Sequence, residues 1–558
     1  MTVADPLASR YYALACAIAV TVLASMAALF DSRWLLLAGT AGILSLLGIR
    51  DYVQTRRAIL RNYPLLAYFR FFFEAIRPEI RQYLLEGDNE AVPFSRAQRS
   101  LVYQRAKNIE SRQPFGTGEN LYLAGYEWIN HSLRPVQIDD FDFRVKIGGR
   151  ACKQPYSCSV LNILAMSFGA LSANAVRALN KGAKLGNFAY DTGEGSISRY
   201  HREHGGDLIW EIGSGYFGCR TPDGHFDPQR FALHAREPQV KMIEIKLSQG
   251  AKPGHGGVLP GAKVTPEIAE ARAIRVGKDC LSPAQHSALL ELVEFISLLR
   301  GLSGGKPVGF KFWLGHPLGV LRHLQGDARD WRQAGLHRGR RRRRRHWRRA
   351  DGIHRSHRHA TARGAAVGAQ HAHRTKPARR DSSRRQRQDD FGFRYRAHHG
   401  AWRRLVQCRA RFHVRVGCIQ SLSCHTGRCP TGVTTQDPWR QRALVPEDKA
   451  TRVYNFHRNT LRALAELTGA AGLHHPGEIE PRHIVRRVSG NEIRLVANLY
   501  KFLKPGELLT NPQAHVVYEY YWPLATSNSF DPQPGSDTHV IAAREQPHKE
   551  LRREKMRV

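Results

Sequence analysis

Residues 244–265, EIKLSQGAKPGHGGVLPGAKVT, constrain the fold more than any other stretch of this chain. The segment begins as a short apolar strand, and the glycines and prolines after it exclude both a helix and a continued strand. A loop at the C-terminal end of a strand is therefore predicted. Its glycines let backbone N–H groups approach a ligand, and Lys246, Lys252 and Lys263 add charge suited to a carboxylate or phosphate. The alternative is an ordinary glycine-rich surface turn.

The same rhythm of strand, turn and helix occurs before and after this loop. Residues 159–172 form an apolar strand that opens into a turn of small residues, and residues 173–186 have helical spacing. Residues 188–195 begin the next strand and loop, and residues 305–317 form another buried strand. This is the pattern of βαβ units, so the chain is predicted to be of the α/β class.

Three cysteines near the C-terminal end suggest a metal site. Cys418, Cys424 and Cys429 have the spacing C-x5-C-x4-C, and the sequence CPTGV begins at the third. Closely spaced thiolates suit iron–sulfur or zinc, and nine cysteines without a regular framework fit a reducing compartment. Three ligands without a fourth favour a three-iron cluster over a four-thiolate zinc site. Buried free cysteines are the alternative.

The N-terminal region predicts a transmembrane helical hairpin. Residues 11–30 and 34–49 are two apolar spans separated by three polar residues, and a cleaved signal peptide is the competing interpretation. Arginines flank the hairpin on one side: Arg10, Arg50, Arg56, Arg57 and Arg61. By the positive-inside rule, both ends and the catalytic part are expected to be cytoplasmic.

Helices are predicted for residues 62–136, and one of them carries a cluster of aromatic residues. The cluster consists of Tyr68, Phe69, Phe71, Phe72 and Phe73. It favours a packed or membrane-lying helix face over a cofactor-binding segment.

The positive charge of the chain is concentrated in one segment. The net charge is +37 and the isoelectric point is about 10.4, values that suggest nucleic acid or an anionic membrane as partner. Residues 318–417, however, hold 28 Arg and one Lys against six Asp and no Glu, and so contribute +23 to the net charge of +37. The charge therefore says little about the rest of the chain.

Four motifs occur in the order found in a known family. Residues 161–172, 190–198, 244–261 and 418–438 resemble the FMN-binding synthase domain of glutamate synthases, and most closely its short, membrane-tethered members. The resemblance implies a TIM-type (β/α)8 barrel, an FMN cofactor and a 3Fe–4S cluster held by the three cysteines.

The resemblance also assigns residues to the flavin. Ala165, Met166 and Ser167 correspond to the turn that lies against FMN, although Met166 taken alone would be core filling. Lys311 lies inside an apolar strand, where a charge is costly unless paired. In FMN barrels such a lysine faces the N1–C2=O edge of the flavin; the alternative is a surface lysine.

The substrate residues follow from the same correspondence. Glu194 matches the active-site acid, and Lys246 and Gln249 match substrate-binding positions. Lys252 and Arg272 match catalytic positions that could each grip one carboxylate of 2-oxoglutarate. His255 and Val258, in contrast, replace the Glu and Gln of many members, which removes a polar substrate contact and allows another imine or amine as substrate.

The Arg/His-rich segment 318–417 breaks the family pattern where two flavin-phosphate loops are expected. GC-rich codons for the glycine-rich family sequence, read one base out of frame, give strings such as that of residues 337–347. The segment is therefore interpreted as frameshifted, and part of the barrel as corrupted. A genuine basic insertion that binds nucleic acid or phospholipid is the rival interpretation, and nucleic acid is not expected as a partner.

These observations predict an FMN and iron–sulfur oxidoreductase that forms glutamate from 2-oxoglutarate and ammonia. The ammonia would be free or derived from glutamine, and electrons would come from ferredoxin or another donor. The alternatives are a related FMN enzyme for another imine or amine, an inactive product of a damaged gene, or a membrane-tethered basic binding protein.

The expected parts of the chain are the hairpin and linker (1–60), a helical region (61–150), the first part of the barrel (151–317), the frameshifted segment (318–417), the cluster loop and last barrel helix (418–470), and a C-terminal extension (471–558).

Overall fold

The computed structural model divides the chain into two compact units, Met1–Ala91 and Val92–Val558. The described residues are 10–55, 57–87, 94–109, 120–149, 152–247, 257–284, 286–287, 292–311, 406–408 and 410–500, with isolated positions up to 523. Gln249, Lys252 and His255 lie outside these ranges, as does most of the segment 318–417.

The N-terminal unit is helical in all its regular described elements: α1 (Tyr12–Ala27), α2 (Trp34–Val53), α3 (Ala58–Asn62) and α4 (Ala67–Ile80), which a π-helical turn extends over Arg81–Leu85. The first two form a hairpin in which the hydroxyls of Thr21 and Ser45 lie 3.0 Å apart. Among the described helices only α2, with 20 residues, is long and apolar enough to cross a membrane. The expected lengths are thus reversed, because α2 continues through Arg50 and Asp51, whereas α1 ends before Phe30.

The second unit contains a parallel sheet, which confirms the α/β class. Its strands are β4 (Leu161–Ile163), β5 (Tyr190–Asp191), β6 (Leu208–Ile212), β7 (Val240–Lys246), β10 (Val308–Lys311) and β11 (Val406–Cys408), in the spatial order β10-β7-β6-β5-β4-β11. Every neighbouring pair is parallel. The last of these strands thus returns beside the first, as a closing barrel requires. The full eight-stranded closure lies outside the described residues.

Helices follow these strands and cover the sheet: α6 (Ala173–Leu185), α7 (Arg199–Arg202), α8 (Pro228–Ala235), α9 (Pro266–Arg272), α10 (Leu292–Leu302), α11 (Ala410–Arg415), α12 (Pro438–Gln441) and α13 (Pro446–Ala470). The predicted helix over 173–186 is confirmed, with Ser172 accepting a hydrogen bond from Ala175 N at its start. Ser, Thr and Asp at such positions satisfy backbone donors that the helix leaves unpaired. The strands are buried because they carry apolar residues on both faces, as parallel strands do.

The remaining elements of the second unit lie outside this sheet. They are α5 (Arg96–Lys107), β1 (Glu127–Ile129), β2 (Arg144–Ile147), β3 (Tyr156–Ser159), β8 (Val258–Leu259), β9 (Cys280–Leu281), β12 (Ile484–Arg487), β13 (Ile493–Leu495) and α14 (Val496–Leu499). The helical prediction for residues 62–136 therefore fails after Lys107. β1 pairs antiparallel with β12, which also pairs antiparallel with β13, and no local pattern around residues 127–129 predicts this three-stranded sheet.

Helix α13, although far along the chain, packs against the first strand of the sheet. The predicted helix at its position is confirmed, and it continues to Ala470. His457 Nε2 lies 3.0 Å from Ser159 Oγ and 3.1 Å from the carbonyl of Leu161, so α13 contacts the start of β4. Burial lowers the pKa of His457 to about 3, the carbonyl of Leu161 opposing the shift. The imidazole is therefore neutral and is a structural residue.

Candidate functional site

The C-terminal ends of four neighbouring strands bring three carboxylates around one ammonium group. Asp191, Glu211 and Glu244 come from β5, β6 and β7, and Lys311 ends β10. Lys311 Nζ lies 3.4 Å from Asp191 Oδ2 and contacts Glu211 Oε2 and Glu244 Oε1 directly. The carboxylate side chains are at most 1% exposed. We call these four residues the Lys311 cluster.

The three carboxylates of the Lys311 cluster form the one group among the described residues with the geometry of a metal site. One oxygen of each lies within 4.8 Å of the others. Oxygen ligands of this kind suit hard divalent cations. The ammonium of Lys311, however, already contacts all three, so the positive charge at this point is supplied by the chain itself.

A second ion pair lies beside the Lys311 cluster and shares one carboxylate with it. Lys246 Nζ is 3.3 Å from Glu194 Oε2 and 3.8 Å from Glu211 Oε1. Lys246 and Lys311 are register partners on β7 and β10, so their side chains emerge at the same level of the sheet. Glu211 therefore links the two predicted lysines, and through Lys246 it is linked to the predicted acid Glu194. The lysine side chains are about one-sixth exposed, so this group reaches solvent.

Close approach of glycine lets Glu194 occupy this position. A Cβ added to Gly213, which follows β6, would lie 3.0 Å from both Cβ and Oε2 of Glu194. Real Cβ contacts are almost always longer than this, so any larger residue would have to displace the carboxylate. The backbone of Gly193 has a φ of 65°, in the left-handed region, and its N–H donates to Asp191 Oδ1 at 3.0 Å. Both glycines thus help to set the geometry of the acidic groups.

The turn after β4 lies against the loop that carries Glu194. Met166 N donates to the carbonyl of Asp191 at 3.2 Å, and Tyr190 Oη donates to the carbonyl of Met166 at 2.8 Å. The side chain of Met166 is 1% exposed, whereas Ala165 and Ser167 are partly exposed. The structure thus brings the predicted flavin turn next to the Lys311 cluster. Met166 fills core space, and any ligand in front of the turn would meet Ala165 and Ser167.

Arg272 is buried behind the same turn. Its Nη2 donates to the carbonyl of Phe168 at 3.1 Å, and its guanidinium lies 5.3 Å from the ring centre of Phe217. Gly195 allows this arrangement, because a Cβ there would lie 3.0 Å from Arg272 Nη2 and 2.8 Å from Ser167 Cβ. The side chain is 5% exposed. In this position Arg272 fixes the turn after β4, and a direct grip on substrate stays a prediction.

His286 supports the strand that carries Lys246. Its Nε2 donates to the carbonyl of Lys246 at 2.7 Å, and its Nδ1 lies 3.2 Å from Tyr216 Oη. Burial lowers the pKa of His286, although the carbonyl of Lys246 and the charge of Glu194 act in the opposite direction. A neutral ring that donates from Nε2 and accepts at Nδ1 matches both contacts. Tyr216 has a φ of 46°, so this support includes a strained backbone position.

The three predicted metal-binding cysteines lie in one short loop after α11. Cys429 is buried, Cys418 is half-buried and Cys424 is exposed. Gln420 and Leu422, between the first two cysteines, have φ values of 59° and 58°, which are rare for residues with a side chain. Such strain persists where surrounding contacts enforce it, and it clusters at functional sites.

Contacts from other parts of the second unit hold the cysteine loop in place. Tyr103 Oη donates to the carbonyl of Cys418, and Lys263 Nζ donates to the carbonyl of Cys424, each at 3.3 Å. Lys263 belongs to the glycine-rich stretch 244–265, and Tyr103 belongs to α5. Lys263 thus brings the C-terminal part of that stretch into contact with the cysteine loop.

Two thiols of this loop have pKa values that are shifted in opposite directions. The pKa of Cys418 is raised mainly by burial, with the other two cysteines adding to the shift. The pKa of Cys429 falls to about 7, because hydrogen bonds with Thr434 and Thr431 outweigh the opposing effect of burial. The three thiols thus belong to one neighbourhood, but their sulfurs do not all lie within 4.8 Å of one another. Closely spaced thiols suit a thiolate-bound cluster, and Cys429 is the one whose environment favours the deprotonated sulfur that a cluster requires.

The carboxylates of the Lys311 cluster are the functional residues that sequence reasoning missed. The signal was available in Glu211, within the apolar run LIWEI, and in Glu244, within MIEIK. A buried acid in an apolar strand is as costly as a buried lysine, so the two types are expected to meet. Glu211 and Glu244 therefore need a cationic partner as much as Lys311 needs an anionic one.

Comparison with known proteins gives the same assignment over most of the chain. The family model described as a conserved region in glutamate synthase matches residues 144–330 and 406–474. A glutamate synthase large subunit-like protein of Bacillus subtilis, YerD, is 32% identical over 81% of this chain and 94% of its own length.

More distant relatives match a smaller part of this chain. The archaeal-type glutamate synthase [NADPH] of Thermotoga maritima is 30% identical over 59% of this chain and 63% of its own length. A glutamate synthase large subunit-like protein of Rhizobium meliloti is 31% identical over 26% of this chain and 30% of its own length. The chain thus spans less than two thirds of the Thermotoga relative. With YerD matched over nearly its whole length, the chain belongs to the glutamate synthase family of oxidoreductases, whose conserved domain has the TIM-barrel type of fold.

Proposed function

We propose that the protein is the scaffold of an FMN- and iron–sulfur-dependent enzyme that reductively aminates 2-oxoglutarate to glutamate. The observation that carries the proposal is the meeting of Glu194, Lys246 and Lys311 at the C-terminal ends of parallel strands. Barrel enzymes build their active sites at this end of the strands. The family membership supports the same chemistry.

The described residues fit the ring-side half of an FMN site. Ala165 and Ser167 are accessible on the turn after β4, and Lys311 is fixed beside that turn through Asp191. When bound, FMN supplies hydride for reduction of an imine to an amine. The phosphate-binding half would fall in residues 318–417, which lie mostly outside the described ranges.

The chain's own residues would bind the substrate and handle its proton. The ammonium of Lys246 suits a substrate carboxylate, with Lys252 and Arg272 as further predicted contacts and Gln249 beside them. Glu194 Oε2 lies 3.3 Å from Lys246 Nζ, so a substrate bound there would meet the carboxyl group that the resemblance assigns as the active-site acid. Cys418, Cys424 and Cys429 would hold the cluster, which supplies one-electron transfer.

A second candidate substrate class is favoured by Val258. The family's polar residue is replaced here by a valine whose side chain is 54% exposed on β8. An exposed apolar residue beside the predicted substrate loop offers no hydrogen bond to a second carboxylate. The enzyme would then act on another imine or amine, with the same flavin chemistry.

The segment 318–417 is proposed to result from compensating frameshifts. The family match stops at residue 330 and resumes at 406, so residues 331–405 are the part of this segment that the family model does not match. The Arg/His-rich string of residues 337–347 lies within that part. Resequencing the coding DNA tests this, because an unbroken frame with matching peptide masses would refute it.

The membrane is proposed as the location of the protein. Support comes from the apolar helix α2 and from the hairpin that it forms with α1. Both ends and the catalytic unit would lie in the cytoplasm, because the flanking arginines favour that side. Protease protection of tagged termini in sealed vesicles would test the orientation.

The decisive experiment compares the chain as written with a frame-corrected version. The corrected protein is expected to bind one FMN per chain and to form glutamate from 2-oxoglutarate, ammonia and reduced ferredoxin. The chain as written is expected to bind little flavin, since the segment 318–417 replaces the glycine-rich family sequence whose backbone N–H groups are expected to cradle the phosphate. Flavin-loaded corrected protein that reduces other imines but not 2-oxoglutarate would favour the second candidate. Stoichiometric flavin on the chain as written would contradict the frameshift proposal.

A further inference from the structure

Helix α4 of the N-terminal unit exposes a continuous apolar face. Phe69, Phe72 and Phe73 are 64%, 57% and 57% exposed, and Leu66 just before the helix is 43% exposed. Spacings of three, four and seven residues place these side chains on one side of a helix. Four large exposed apolar residues together mark an interaction surface rather than the scattered exposure that is common on proteins.

The edge of this face is lined by arginines. Arg70, Arg77 and Arg81 follow one another at helical spacing and are all exposed. Arg70 pairs with Glu74 at 2.8 Å, with both side chains more than half exposed. From Arg50 to Arg81 the sequence contains seven Arg against three acidic residues. An apolar face bordered by basic residues is complementary to a surface that has hydrocarbon below and negative charge above.

Direct contacts tie α4 to the end of the helix proposed to cross the membrane. Tyr68 Oη donates to Asp51 Oδ1 at 3.0 Å, and Asp51 lies in the last turn of α2 with 1% exposure. Arg57 in the connecting segment stacks over the ring of Phe71 at 5.6 Å. The apolar face of α4 therefore begins beside the C-terminal end of α2. Tyrosine, here Tyr68, is enriched at that level in membrane proteins, and phenylalanine and leucine are typical of the apolar face of an interfacial helix.

We propose that α4 is an interfacial helix that lies in the headgroup layer of an anionic membrane. Its phenylalanines would enter the acyl boundary, and its arginines would contact lipid phosphates. The inference rests on the proposed membrane location and adds to it a lipid-binding surface with a preference for anionic headgroups. The continuity with α2 and the arginine edge favour a lipid surface over a protein partner as the occupant.

The test uses a photocrosslinking residue in the full chain, reconstituted in vesicles of phosphatidylcholine and phosphatidylglycerol. The substitutions are Phe72→benzoylphenylalanine on the apolar face, Glu74→benzoylphenylalanine on the polar face and Ile43→benzoylphenylalanine in the middle of α2, where Ile43 is 68% exposed. Lipid adducts are expected at positions 72 and 43 but not at 74. Phosphatidylglycerol should form at least twice its molar share of the adducts at 72, and the double substitution of Arg77→Gln and Arg81→Gln should remove that excess. Arg482→Gln, a change of an exposed arginine in the other unit, should leave it unchanged.

Two results would overturn the inference in different ways. Lipid adducts at 43 with protein adducts or none at 72 would refute the interfacial helix while leaving the membrane location intact. An absence of lipid adducts at both positions would refute the membrane location as well.

Discussion

Replacing Lys311 by methionine is expected to make the sheet unstable at neutral pH and to make its stability depend on protons or metal. The substitution removes the cation that contacts Asp191, Glu211 and Glu244 but keeps much of the side-chain volume. The three remaining carboxylates are buried, with oxygens within 4.8 Å of one another. Like charges at that distance repel by about 3.5 kcal/mol per pair at an effective dielectric constant of about 20.

Three such pairs amount to about 10 kcal/mol, of which Lys246, 3.8 Å from Glu211, offsets about 4 kcal/mol; the remainder is comparable with the whole stability of a domain. The fully ionised cluster therefore cannot persist in the folded variant. Either protons or a divalent cation must bind, or the strand ends must separate. We expect Lys311→Met to lose at least about 4 kcal/mol at pH 8, a cost in the range for breaking a buried ion pair. Most of this loss should be recovered at pH 5, because protonation removes the repulsion in the folded variant.

Lys306→Met is the matched control, because Lys306 is another buried lysine next to the same strand. Its Nζ donates to the carbonyls of Ala235 and Glu237, both at 2.7 Å, and contacts no carboxylate cluster. Burial lowers the pKa of Lys306 to about 8, so the unfolded chain binds more protons than the folded chain between about pH 8 and 10.5. The Lys306→Met variant should lose stability, because the two carbonyls lose this donor. The loss should not be recovered at pH 5, because below about pH 8 Lys306 binds its proton in both the folded and the unfolded chain.

Hydrogen exchange of peptides from β6, β7 and β10 measures the local stability in the full chain. The Lys311→Met variant should show faster exchange at pH 8 after correction for the chemical rate, with restoration at pH 5 or by millimolar calcium. Equal corrected losses at both pH values, or a profile that matches Lys306→Met, would refute the electrostatic reasoning.

Three further predictions concern other parts of the second unit. The pKa of Glu237 is lowered to about 2, because hydrogen bonds with a histidine and an arginine outweigh burial. The Glu237 carboxylate should therefore contribute about 3 kcal/mol to the free energy of unfolding above pH 4.5, and this contribution should be lost towards pH 2. If urea unfolding shows that Glu237→Gln differs equally from wild type at both pH values, this prediction is contradicted. Arg415→Ala should lower the unfolding free energy by about 1–2 kcal/mol, because the guanidinium packs over the rings of Phe412 and Phe456, and an unchanged urea midpoint would contradict this. Gly213→Ala should push Glu194 away from its lysine and reduce the activity of the corrected enzyme at least tenfold, whereas Gly301→Ala, with open space at its Cβ, should not.

Much of the fold followed from local patterns. The strand at 244, the helix over 173–186 and the long helix from Pro446 were all predicted, because apolar periodicity and capping residues act within a few positions of the chain. The helical prediction failed after Lys107, where β1 exists only through pairing with β12. A three-residue strand has too little sequence to show a period, so its partner decides it.

The candidate site was predicted only in part from the sequence. Glu194, Lys246 and Lys311 were predicted as separate residues, and the structure brings them together through Glu211. The cysteine spacing predicted a metal loop, while the low pKa of Cys429 depends on threonines that the spacing does not reveal as donors. Pairing of this kind depends on which strands are neighbours, and that is a tertiary property.

The sequence by itself determined the family, the order of its motifs and the positions of costly charges within apolar strands. Only the tertiary structure decided how those charges are neutralised. Lys311 contacts carboxylates from β5, β6 and β7, which are separated in sequence by whole helices and meet because parallel strands place their C-terminal ends along one edge. A local pattern shows that a buried charge needs a partner, whereas strand order and register select the partner.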